Sequence, residues 1–89
     1  MNIAEIRAGM PALHSLLQVN AGTKGICAGP VVDALRELTD EVELGGYAGY
    51  CSVMGKAIQA RARLARFFSV PETALAFTGN ASVSLNVAL

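Results

Sequence analysis

The stretch Phe77-Thr78-Gly79-Asn80-Ala81-Ser82-Val83-Ser84-Leu85-Asn86 holds the residues best arranged for chemistry. A short apolar run enters a glycine-asparagine turn and leaves it with helical character. The start of a helix presents unpaired backbone N–H groups and the positive end of the helix dipole, which together suit a phosphate. Ser82 adds a hydroxyl donor at the same place. The same residues also read as a plain turn in which Asn80 caps the helix and binds nothing. Asn80 is the junction in both readings.

The remaining reactive side chains are scattered. Lys24 and Lys56 are the only lysines, and a lysine amine can form a Schiff base with a carbonyl cofactor. Lys24 lies in the glycine-flanked segment Asn20-Ala21-Gly22-Thr23-Lys24-Gly25, and Lys56 falls among the outward positions of a helix. Both read as solvated charges. His14 has no second ligand or serine beside it and reads as a packing residue at or near the surface. Cys27 and Cys51 form neither a C-x-x-C nor a Cys/His spacing, so they suggest packing thiols in a reduced protein. No metal-ligand pattern is present. Arg61, Arg63 and Arg66 could form a nucleic-acid stripe, or simply the solvated or interface face of an alanine-rich helix.

The elements that must position these groups follow from apolar spacing. Ile3, Ile6, Met10, Leu13 and Leu17 recur at helical intervals, with Gly9 and Pro11 dividing the arm into two short pieces. Leu16 to Val19 is a short extended candidate before the Asn20–Gly25 loop. Gly29-Pro30 opens a helix striped by Val31, Leu35, Leu38 and Val42, and Gly45-Gly46 ends it. The Gly45–Tyr50 stretch suits a turn with two aromatic rings. Cys51 to Phe68 then reads as a second helix, with Met54, Ile58, Leu64, Ala65 and Phe68 inward and Lys56, Arg63 and Arg66 outward. Pro71 stops it. Ala74 to Thr78 resembles the apolar strands buried in parallel sheets, and Ala81 to Leu89 is an apolar helix that reads as cut off before its natural end.

Composition points to an incomplete surface. The chain has 89 residues, 53% of them hydrophobic and 16% charged. An average globular domain carries roughly a quarter charged residues. Too little polar surface remains to cover a small sphere, so one face should be covered by something else. A formal net charge of zero favours neither nucleic acid nor anionic lipid. No signal peptide is evident at the N-terminus, and no apolar run approaches the roughly 20 residues needed to span a bilayer. A soluble, cytoplasmic protein is the expectation.

Phe77-Thr78-Gly79-Asn80-Ala81-Ser82 followed by Leu85-Asn86 resembles a segment of the class V aminotransferase family, which includes cysteine desulfurases, selenocysteine lyases and isopenicillin N epimerase-like proteins. Three further stretches resemble that family in the same order. They are Ile6-Arg7-Ala8-Gly9-Met10-Pro11-Ala12-Leu13 with Val19-Asn20-Ala21-Gly22-Thr23, then Pro30 to Leu35, then Gly45-Gly46-Tyr47. The resemblance implies pyridoxal 5'-phosphate as cofactor, with Asn80, Ala81 and Ser82 at its phosphate and Asn20, Ala21 and Gly22 bordering the substrate pocket. Val83 departs from the pattern, since the family has glutamate there.

The resemblance also implies a fold class: α/β, as the N-terminal part of the fold-type I architecture of such enzymes, mostly helical with one or two short strands and completed by a partner chain. It divides a single unit, 1–89, into an arm at 1–19, a substrate-side loop at 20–29, helices over 30–69 and a strand with a phosphate-binding turn and helix at 74–89. The family's Schiff-base lysine, pyridinium-pairing aspartate and stacking residue correspond to nothing in this chain. The expectation is therefore the small subunit of a split enzyme acting on an amino acid, of C–S lyase, epimerase or aminotransferase type. Its partners would be a larger subunit and the substrate, in a dimer of heterodimers. It would not be catalytic alone. A truncated remnant, a helical interaction module without cofactor and a nucleic-acid binder are the alternatives.

Overall fold

In a computed structural model, residues 2–89 are described and form two compact units, one ending at Gly46 and the other beginning at Tyr47.

The first unit opens with α1, Ile3–Ala8. Asn2 caps it by accepting the Glu5 N–H at 3.0 Å, while the Glu5 carboxylate accepts the Asn2 N–H at 2.6 Å. This reciprocal pair satisfies two amides that a helix start otherwise leaves unpaired. The Gly9 N–H closes the other end on the Glu5 carbonyl at 3.1 Å. A 3₁₀ turn, Pro11–His14, follows with proline in its first turn. The arm is thus divided at Gly9 and Pro11, as the spacing suggests. The His14 Nε2 sits 3.0 Å from the Ala8 carbonyl and ties the turn back to α1. His14 is exposed and structural.

The long helix α2, Gly29–Phe67, is interrupted at Gly46, where φ is 56° and ψ is −137°. That backbone is costly for any residue with a Cβ, which explains glycine at this point. The expected stop at Gly45-Gly46 is therefore a one-residue break. Helix resumes at Tyr47, so the Gly45–Tyr50 stretch is not an open turn.

In the second unit α2 ends in a Schellman motif. The Val70 N–H donates to the Ala65 carbonyl at 3.0 Å and the Ser69 N–H to the Arg66 carbonyl at 3.1 Å, with Ser69 at φ 55°. Ser69 stops the helix before Pro71 is reached. A 3₁₀ turn at Glu72–Ala74 leads through 75–80 to α3, Ala81–Ala88.

The α/β expectation is overturned. No strand is present among the described residues, and the chain is mostly helical. Leu75 has extended dihedrals, φ −120° and ψ 126°, yet no second extended segment pairs with it. A strand exists only through ladder hydrogen bonds to a neighbour, so an apolar run with strand propensity remains a connecting segment without one. The Leu16 to Val19 candidate has the same outcome.

Burial is slight. Ala65, 1% exposed, is the one buried hydrophobic residue among those described, and Gly49 is also buried. The expected stripes are largely uncovered: Val31, Leu35, Met54 and Ile58 on α2 and Phe68 just past its end are all exposed. No helix among the described residues is long and apolar enough to cross a membrane.

Candidate functional site

The second unit holds the start of α3. Asn80 is extended, φ −167° and ψ 172°, and its Oδ1 accepts the Val83 N–H at 3.0 Å. The first helical bond runs from the Ser84 N–H to the Asn80 carbonyl at 3.1 Å. The Thr78 and Ser84 hydroxyls lie 3.2 Å and 3.3 Å from that same carbonyl and against each other, so with one hydrogen apiece one of them donates to the carbonyl while the other donates to its fellow hydroxyl. Thr78 and Ser84 thereby brace the Asn80 peptide from both sides of the turn. Sequence reading singled out neither of them, although a hydroxyl at Thr78 and another within the first helical turn were the available signals.

The brace fixes what faces outward. The amides of Ala81 and Ser82 precede the first intrahelical bond, so they belong to the donors that a helix cannot satisfy internally. Ser82 is exposed, with its hydroxyl on the same first turn. Asn80 itself uses its side-chain oxygen on Val83, so its part in the turn is to shape it. The donor set fits a phosphate in charge and in hydrogen-bonding sense. It offers nothing to the ring of a pyridoxal group, since no lysine or carboxylate belongs to the turn.

In the first unit, Asn20 precedes the turn at Ala21–Thr23, and all of Asn20, Ala21 and Gly22 are exposed. The Asn20 Oδ1 accepts the Thr23 N–H at 3.3 Å, and the Lys24 N–H reaches the Asn20 carbonyl at 3.4 Å. The asparagine oxygen thus organises its own loop. Gln18 adds to this, donating from Nε2 to the Lys24 carbonyl at 2.9 Å and closing the base of the loop. Beside it lies a groove of about 560 Å³ lined chiefly by Pro11, Gln18, Ile26, Cys27, Val32 and Leu35. Lys24 and Gly25 also reach it, whereas Asn20, Ala21 and Gly22 do not.

The other candidates separate. Lys24 and Lys56 are both exposed, on the loop and on α2. Cys27 and Cys51 are exposed thiols, which corrects their reading as packing residues. At about 100° of rotation per residue, Arg61 falls on a different face of α2 from Arg63 and Arg66. Arg61 is half-buried, and Arg63 and Arg66 are exposed, so the three do not make one basic stripe. Among the described residues no three His, Cys, Asp or Glu side chains gather where they could hold a metal. No family model, curated protein or solved structure matches the chain.

Proposed function

We propose that this chain acts as the small subunit of a pyridoxal 5'-phosphate enzyme of class V aminotransferase type, and that it gives the cofactor's phosphate its binding turn. The observation that carries this reading is the braced start of α3, where Asn80 caps Val83 and the Thr78 and Ser84 hydroxyls hold the Asn80 carbonyl. That arrangement leaves the Ala81 and Ser82 amides and the Ser82 hydroxyl to receive an anion. The loop at Asn20, Ala21 and Gly22 would border the amino-acid substrate. Bound cofactor supplies an electron sink for bond breaking at the substrate's α-carbon.

The partner in this reading is a larger chain that brings the Schiff-base lysine and the aspartate facing the pyridinium nitrogen, in a cytoplasmic assembly of paired heterodimers. The uncovered apolar stripes of α2 support a covering chain. The strandless fold of the described residues does not fit an α/β fragment of such enzymes, so the reading rests on the start of α3 alone. The reaction is a C–S cleavage, epimerisation or transamination, with the choice made by groups on the larger chain.

The same stripes also favour a second reading, a helical interaction module that binds a protein and no cofactor. One experiment separates them. Inorganic phosphate, and then pyridoxal phosphate, is titrated into the isotope-labelled chain while the amide resonances of Ala81 and Ser82 are followed. Saturable shifts centred on those two amides support the enzyme reading, and their absence at millimolar ligand overturns it. In the assembled enzyme, visible absorbance of bound cofactor should survive both Lys24→Ala and Lys56→Ala. Loss of that band with either change would place the Schiff-base lysine on this chain.

A further inference from the structure

We draw no further inference here: the strongest candidate, the apolar groove between the arm, the loop and the first turns of α2, lined chiefly by Pro11, Gln18, Ile26, Cys27, Val32 and Leu35, is an uncovered face, and nothing in the structure shows what covers it.

Discussion

The backbone N–H of Gly29 donates to the carbonyl of Gly9 at 2.8 Å, joining the end of α1 to the first residue of α2. An amide at the first position of a helix has no acceptor inside that helix, so an outside carbonyl is a natural partner. Through this bond the arm is held beside α2, and Pro11 is brought to the edge of the groove.

The bond makes a prediction that distinguishes a donor from a small side chain. A Cβ on Gly29 would meet the Gly9 carbonyl oxygen at 3.7 Å and the Pro11 Cγ at 3.8 Å, both ordinary contacts. Gly29→Ala should therefore change stability by less than about 0.5 kcal/mol. Gly29→Pro removes the donor and should cost about 1 kcal/mol. Amide exchange across Gly9 to Leu13 should quicken in the proline variant and stay unchanged in the alanine one. Equal behaviour of the two variants would mean that the bond does not hold the arm.

Two left-handed positions predict effects of opposite sign. Ser69 adopts φ 55° at the end of α2, where glycine is the usual residue, so Ser69→Gly should stabilise the helix end by about 1 kcal/mol. Gly46 adopts φ 56° with open space around a would-be Cβ, so Gly46→Ala meets no clash and only backbone strain. It should cost about 1 to 3 kcal/mol if the break is retained. Thermal melting followed by circular dichroism reads both. If Gly46→Ala melts later than the parent, the break at Gly46 is not the stable form.

Helix positions were legible where glycine, proline and asparagine act locally. Gly9 and Pro11 divided the arm, Gly29-Pro30 opened α2, and Asn80 began α3, each through its own backbone preference. The end of α2 was legible to within one residue, Phe68 against Phe67, but its cause was not, because Ser69 takes the left-handed residue's place without a glycine to announce it. The strand at Ala74 to Thr78 failed for a different reason. Its propensity is local, whereas a ladder requires a partner segment, and the described residues offer none. At the phosphate turn the sequence pointed to Asn80, Ala81 and Ser82 but not to the Thr78 and Ser84 hydroxyls, whose pairing beside the Asn80 carbonyl is visible only in three dimensions.

The uncovered stripes predict self-association of the isolated chain. Leu35, Ile58 and Val87 are exposed, and α3 carries no charged residue. Sedimentation of the purified chain should show oligomers that grow with concentration, since burying each such side chain gains roughly 1.5 to 3 kcal/mol. Leu35→Lys and Ile58→Lys should shift the distribution toward monomer. A monomer that stays monomeric at high concentration and unfolds cooperatively would show that these faces need no cover, and the larger-assembly reading would lose its support.

The phosphate turn gives the sharpest test of function. Ser82→Ala keeps the Ala81 and Ser82 amides and removes one hydroxyl donor, while Ser82→Glu sets a negative charge against the phosphate. A hydrogen bond to a charged group is worth about 1.5 to 3 kcal/mol, so the alanine change should weaken pyridoxal phosphate binding by roughly tenfold to a hundredfold. Glutamate should weaken it further. Ser84→Ala acts through Thr78 and the Asn80 carbonyl, so its smaller loss should come with faster amide exchange at the start of α3. Arg63 is exposed on α2, and Arg63→Ala should leave cofactor binding nearly unchanged. Titrations of these variants by calorimetry decide the matter. If Ser82→Ala and Ser82→Glu both bind as tightly as the parent, the residues from Gly79 to Ser82 are a capped turn and no more. If Arg63→Ala alone weakens binding, and does so less as salt rises, the functional surface is the arginine-bearing face of α2, because screening by salt is the signature of a charge contact.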